Sequence, residues 1–277
     1  HPMSNRVIVV GGGIIGTSTA YYLSKLGAEV ILLEAKDIAS GTSGSCDTAI
    51  MLQSKKPGPT LELAKASAAI YATLEDELGE DLEDKKGGGM IVIETLEQLE
   101  AIQSMVERQQ KAGIDVKLIS REEARDRLPE LSAHIVGATW WDHDAGVNPL
   151  NVSFAMARAA KRIGAEIRVR TEVTGLMVAD GKVVGVEIGR EKLYADWVVL
   201  ALGVWTPFLL KKIDVDLPII PRKGQILVTE RMKPFIECKI LGAAYITNKL
   251  QIHSTASVEK TKGVGLALGQ TRSGTLL

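Results

Sequence analysis

Residues 7–34 read VIVVGGGIIGTSTAYYLSKLGAEVILLE, and this stretch decides the fold. Val7 to Val10 is an apolar run of the kind a strand buried on both faces requires. Gly11, Gly13 and Gly16 follow as G-x-G-x-x-G, and the pattern is then helical to about Leu26. Gly27 stands where a helix C-cap is expected. Val30 to Leu33 makes a second buried strand, which ends on Glu34. Each glycine has a separate physical reason. Gly11 permits the tight turn, Gly13 lets backbone amides approach a pyrophosphate, and Gly16 lets the helix pack closely on the strand. The helix N-terminus turns its dipole and unpaired amides toward the phosphates. Glu34 lies where an acid accepts hydrogen bonds from a ribose diol. An acid there opposes a ribose 2′-phosphate, so the reading is NAD or FAD rather than NADP.

The rest of the chain sets bounds. Its 277 residues are 45% hydrophobic and 24% charged, enough for one large or two medium domains. A net charge of −1 gives no electrostatic case for nucleic acid or an anionic membrane. The two cysteines, Cys46 and Cys238, have no metal-binding spacing and suggest a reducing, cytoplasmic setting. No apolar run reaches the length of a membrane span.

Beyond Glu34, the stretch IASGTSGS (38–45) is a small, polar loop leaving the same edge, so Ser40, Thr42 and Ser43 can reach cofactor phosphates. Residues 48–52 turn apolar, as a segment lying against a flat ring would. Leu61 to Leu78 reads as a helix and Glu80 to Lys86 as a solvated connection. The triple glycine 87–89 precedes a strand, Met90 to Glu94, with no helix after it, so it is not a second phosphate loop. Thr95 with Gln98 and Ser120 with Glu123 read as capping boxes that open two helices. Val116 to Ile119 and Val136 to Trp141 read as strands, and DHDAGVNPL (142–150) as a turn-rich loop. A helix from about Asn151 to Ile163 leads to a strand, Glu166 to Arg170. Asp180-Gly181 then marks a hairpin between 172–179 and 182–188. Trp197 to Leu202 is a further buried strand that returns to the first sheet. From Leu217 the chain reads as short strands: 219–229, 244–247, 250–254, 264–269 and 275–277.

These residues carry a resemblance. VIVVGGGIIG with Glu34, SGTSGS, DAGVNP (144–149), TEVTGL, VVLALGVW (198–205) and PRKGQIL (221–227) stand in the order and spacing of the D-amino-acid oxidase/glycine oxidase superfamily of FAD-dependent oxidoreductases. The resemblance implies an α/β fold. A Rossmann-like FAD-binding domain, a mixed sheet with flanking helices, would span 3–86 and 142–216. A discontinuous, β-rich α+β substrate domain would span 87–141 and 217–277. The family continues for roughly another quarter of the chain, so the sequence is expected to be truncated at its C-terminus, without the family's carboxylate-clamping arginine. Arg222 and Arg272 do not match that clamp.

By the same resemblance FAD is bound non-covalently. Gly11, Gly13, Ile14, Ile15, Gly16, Glu34 and Ala35 would hold the ADP half, and Ser40, Thr42 and Ser43 would line the pyrophosphate. Val173 would offer its backbone to adenine. Ala201, Gly203 and Trp205 would close over the nucleotide, and Met51 would lie near the flavin. The implied reaction is hydride transfer from the amine-bearing carbon of a small amine or amino acid (glycine, sarcosine, a D-amino acid or an opine) to flavin N5, giving an imine that hydrolyses. Tyr245 and His253 are the candidate substrate-contacting residues, and no metal is required. The electron acceptor would be oxygen or a quinone or dye, and a homo- or hetero-oligomer is compatible. Two other readings stay open: an NAD-dependent dehydrogenase, and a non-catalytic FAD-binding or scaffold subunit.

Overall fold

The computed structural model describes residues 5–250 and 265–277, with side chains described to 247 in the first span. His253 lies outside the described residues. The chain divides into two units, 1–46 with 78–82 and 149–225, and 47–77 with 83–148 and 226–277.

In the first unit, four strands run parallel in the order Trp197–Leu200, Arg6–Val10, Glu29–Leu33, Glu166–Arg168. Their apolar runs do not alternate because both faces are covered. Ile8, Val10, Ile31 and Leu33 enter a core with Leu176 and Val186 from an antiparallel three-stranded sheet. The intervening Val7, Val9, Val30 and Leu32 are equally buried. The Ile14–Lys25 and Pro149–Arg162 helices pack together, and small residues are among those they bury, including Ala20, Ala155, Ala159 and Ala160. The three-stranded sheet is Gly175–Ala179, Lys182–Ile188 and Glu191–Tyr194. Its first turn has φ of 50° at Asp180 and 72° at Gly181. Positive φ at both positions is what a two-residue hairpin of this twist requires.

The second unit holds a five-stranded mixed sheet, ordered Ala267–Leu268, Lys239–Gly242, Gly89–Ile93, Gly137–Trp141, Lys117–Ser120. Lys239–Gly242 and Gly89–Ile93 run parallel, and the other pairs are antiparallel. Ile91 and Ile93 pack with Leu61, Ile102, Met105 and Ile246 on one face. Met90 and Val92 pack with Ile119, Leu128 and Ile135 on the other. The Ser120 box is complete: its hydroxyl accepts from the Glu123 amide, and the Glu123 carboxylate accepts from the Ser120 amide. At Thr95 the side chain accepts from the Gln98 amide, but Gln98 takes the Glu94 amide instead of that of Thr95. Ser120→Ala is expected to lower unfolding stability by about 1 kcal/mol, read from a urea transition.

Several expectations are corrected. Residues 47–77 belong to the second unit, because Met51, Leu52 and Leu61 are buried in its core. The expected borders at 86/87, 141/142 and 216/217 move accordingly. Ala243–Leu250 is a helix rather than a strand. Ala243 and Ile246, three apart, are both fully buried, and the alanine-rich start favours helix. Tyr245 therefore sits on a helix and not in the sheet. Residues 219–229 form no strand; their backbone lacks a ladder partner among the described residues. Thr275 and Leu276 make isolated bridges only. Glu80 is not simply solvated, since Arg158 and Arg162 both pair with it and hold its carboxyl below the usual range.

Candidate functional site

The glycine turn is built by steric exclusion. A Cβ placed on Gly16 would stand 1.8 Å from the Gly11 carbonyl oxygen. Gly11 has φ of +112°, and a Cβ there would meet the Ala201 carbonyl oxygen at 2.4 Å. The first strand, its helix and residue 201 thus meet with no room for side chains. The Ala201 amide donates to the Val10 carbonyl at 2.8 Å, which fixes this approach.

The donors around the turn divide into used and unused groups. The Gly12 amide donates to Glu34 Oε2 at 2.6 Å, and the Lys36 amide to Glu34 Oε1 at 2.8 Å. The Ile14 amide donates to Ser43 Oγ at 2.9 Å. The amides of Gly13, Ile15 and Gly16 make no hydrogen bond among the described residues. These unused donors at a helix N-terminus are what an anionic diphosphate needs. Ile15 and Ala35 are exposed beside them. Thr42 and Ser43 form a short 3-10 turn, and the Ser40 hydroxyl lies 3.5 Å from Glu34 Oε1.

Two further stretches of the same unit converge here. Thr171 and Arg170 donate their amides to the carbonyls of Glu34 and Lys36 at 2.8 Å each, lacing residues 170–171 to the end of the second strand. Val173, two residues on, has neither its amide nor its carbonyl paired among the described residues. Gly203, with φ of +56°, turns the chain after the Trp197–Leu200 strand. The Trp205 ring lies over Gly41, where a Cβ would meet it at 3.3 Å, and stays 55% exposed. Glu34, the 40–43 loop, Val173 and Trp205 therefore surround one glycine turn. The donor set suits the adenosine-diphosphate half of FAD: unused amides for phosphate, a carboxylate for a diol, and a free backbone edge for adenine.

Met51 and Tyr245 are in the other unit. Met51 is buried in its core, and Tyr245 is half-buried against the same cluster. Two residues there carry more than their sequence suggested. Asp144 is fully buried; it accepts from the Leu52 amide at 2.8 Å and from Gln53 Nε2 at 2.6 Å. Gln53 Oε1 accepts from the Thr139 hydroxyl, which accepts from the Ile91 amide. Gln109 Nε2 donates to the Gln53 carbonyl at 2.6 Å. This network ties residues 52–53 to the sheet. Burial pushes the Asp144 carboxyl up to about 7, against the opposing pull of its hydrogen bonds. The second residue is Lys239, which is buried to 4% exposure. A polar turn motif and a lone lysine in an apolar run carry no local sign of burial. Only the DAGVNP match singled out Asp144.

Comparisons with known proteins bear on the family and the fold. A family model described as FAD dependent oxidoreductase (DAO) matches residues 6–262. A regulatory subunit of pyruvate dehydrogenase phosphatase from Mus musculus is 31% identical over 206 residues, which is 74% of this chain and 23% of that protein. Glycine oxidase of Bacillus licheniformis is 32% identical over 229 residues, covering 79% of this chain and 60% of the relative. The crystal structure of glycine oxidase from Bacillus cereus ATCC 14579 superposes with a TM-score of 0.82 at 26% identity, covering 98% of this chain and 69% of that one. The chain thus spans from under a quarter to about three fifths of these two curated relatives.

Proposed function

Because this chain belongs to the DAO family of FAD-dependent oxidoreductases, we propose that it serves the oxidation of a small amine or amino acid such as glycine, sarcosine, a D-amino acid or an opine. The observation that carries the cofactor half of this reading is the cradle around Gly11–Gly16, with its unused amides. Bound FAD supplies the two-electron acceptor. The amides of Gly13, Ile15 and Gly16 bind its diphosphate, Glu34 orients the adenosine ribose, and Val173 pairs with adenine. Ser40 and Thr42 contribute hydroxyls, and Trp205 excludes water above the nucleotide. The relatives' names support the substrate class: glycine oxidase, sarcosine dehydrogenase and 4-methylaminobutanoate oxidase all act on amines. Tyr245 loses the sheet position on which its substrate role rested. Cys46 and Cys238 are free thiols, the first exposed and the second buried, and the proposed setting is the cytoplasm. No described helix is long and apolar enough to cross a membrane.

A second reading has its own observation. One relative is named as a regulatory subunit, so a non-catalytic flavin-binding role competes with catalysis. The visible spectrum of the purified chain, followed by anaerobic addition of amino acids and N-methyl amino acids, separates the two. Flavin absorbance that bleaches supports the oxidoreductase. Flavin that never bleaches supports the regulatory reading, and no flavin uptake refutes both. Glu34→Ala is expected to weaken FAD affinity about 10- to 100-fold, the worth of hydrogen bonds to a charged group. Glu34→Gln should recover part of that loss. Affinity measured by flavin fluorescence quenching, unchanged in both variants, would remove Glu34 from the site.

A further inference from the structure

Lys239 is a cation enclosed by the second unit, with 4% of its surface exposed. Its path is built rather than incidental. A Cβ on Gly146 would meet Lys239 Cε at 2.2 Å and Nζ at 2.6 Å. A Cβ on Gly269 would meet Nζ at 3.0 Å and Cδ at 3.2 Å. Two glycines on two different segments therefore form a slot for one lysine. The Ala145–Gly146 strand holds the first of them through its pairing with Ala49–Ile50. The slot ends in a recess of about 20 Å³, lined by Thr48, Ala49, Met51, Ala267 and Leu268 among others. That volume takes one water-sized ligand and excludes an amino acid or a phosphate.

Lys239 Nζ donates to Thr48 Oγ1 at 2.6 Å. Among the described residues no other acceptor is recorded for it, and no carboxylate lies within 4.0 Å. An ammonium has three N–H groups, so two are left. The Thr48 hydroxyl accepts from Lys239 and keeps its own proton to donate. The titratable groups that face Nζ are Lys85, Asp47 and Cys238. Lys85, turned to the Ile236 carbonyl at 2.7 Å, is a second cation that opposes the first. Asp47 is exposed and offsets this only in part. Burial raises the Cys238 thiol, which therefore stays neutral and supplies no counter-charge. A water in the recess would satisfy hydrogen bonds but leave the buried charge uncompensated, which is unfavourable.

We propose that the recess is a binding site for a monatomic anion of chloride's size, held by Lys239 Nζ and the Thr48 hydroxyl. A single atom meets the volume, its negative charge meets Lys239, and the apolar walls suit a weakly hydrated halide. The anion ties the Lys239–Gly242 strand to the Thr48 segment within one unit, so halide concentration is linked to the stability of that unit. The site is independent of the amino-acid oxidation reading. Burial, then repulsion from Lys85, lowers the Lys239 ammonium to about 8. The anion binds the ammonium form, so its affinity is constant below about pH 8 and falls about tenfold per unit above it.

The test is thermal melting at constant ionic strength, with potassium chloride replacing potassium gluconate, an anion too large for the recess. The parent is compared with Lys239→Met, so that halide effects elsewhere on the chain, the cofactor cradle included, cancel. A one-atom ligand has a dissociation constant on the order of 0.1 M. About 0.5 M chloride at about pH 7 should therefore raise the melting midpoint by about 2 °C more in the parent than in the variant. That difference should vanish by about pH 9.5. If Lys239→Met does not give a cooperative melt in gluconate, a bromide-soaked crystal of the parent decides, with an anomalous-scattering peak expected beside Lys239 Nζ and Thr48 Oγ1. Equal chloride shifts in the parent and the folded variant overturn the proposal. So does a difference that persists undiminished at about pH 9.5, or a recess without a bromide peak.

Discussion

Gly16→Ala is expected to abolish stable flavin loading and to lower unfolding stability by about 3 kcal/mol or more, the upper range for overpacking a rigid contact. The added methyl would sit 1.8 Å from the Gly11 carbonyl oxygen, with the Ala201 Cβ at 3.5 Å behind it. Neither is the flexible end of a side chain, so the helix must lift from the strand. That movement disperses the amides of Gly13, Ile15 and Gly16 that a diphosphate needs. Gly27→Ala is the control. Gly27 also has positive φ, +86°, but nothing lies within 4 Å of its would-be Cβ. It should lose only about 1 kcal/mol, from backbone conformation alone. Urea transitions and bound-flavin ratios for the two variants read the difference. Equal effects would mean that close packing at Gly16 is not what holds the turn.

The second large effect concerns Asp144. Its folded carboxyl titrates at about 7 because it is buried, against an ordinary value of 3.8. A carboxyl raised in the folded state holds a proton that the unfolded chain has lost. The stability it contributes is complete below about pH 4 and is lost as pH rises toward 7, by up to about 1.4 kcal/mol per unit. The neighbouring network can serve either form. With Asp144 ionised, Gln53 donates through Nε2. With Asp144 protonated, the reversed Gln53 amide accepts through Oε1 and donates toward Thr139. Asp144→Asn does not titrate, so the stability difference between parent and variant should move by several kcal/mol in favour of the variant between pH 4 and pH 8. A difference that is constant over that range would show that Asp144 stays ionised in the fold. Asp144→Ala leaves the Leu52 amide and the Gln53 amide group without their acceptor, so about 2–4 kcal/mol should be lost below about pH 4, and because alanine does not titrate either, that deficit should shrink as pH rises toward 7.

Local chemistry was readable in the sequence where one segment decides its own conformation. The glycine turn, the Ser120 box and the Asp180-Gly181 hairpin are each complete within a few residues, and each formed as expected. What failed depended on partners far along the chain. Residues 219–229 begin with Ile219-Ile220 and end with Ile226-Leu227-Val228-Thr229, which reads as strand, but they find no ladder among the described residues. Glu191–Tyr194 is mostly polar and carries no strand signal of its own, yet it pairs with Lys182–Ile188 as an edge. Residues 244–247 contain the β-branched Ile246 and Thr247 and read as strand, but burial of Ala243 and Ile246 together goes with the helix Ala243–Leu250. In the cofactor cradle, Glu34 and the glycines were legible from spacing. Burial of Lys239 in its glycine slot was not, because the two glycines come from residues 146 and 269.

The parallel pairing of Arg6–Val10 with Trp197–Leu200 has a kinetic consequence. Val7 lies opposite Val30 on one side and opposite Trp197 on the other. The first partner is made almost as soon as the second strand leaves the ribosome. The other closes a loop of 190 residues, from 7 to 197, whose closure entropy is about 4–5 kcal/mol by the logarithmic law. Throughout that interval the nascent chain carries a finished strand–helix–strand with one bare edge that is apolar from Val7 to Val10. High contact order of this kind slows folding, and an open edge invites pairing with another chain. The yield of native protein should therefore depend on how fast translation reaches residue 200, and on whether a chaperone shields the first strand until it does.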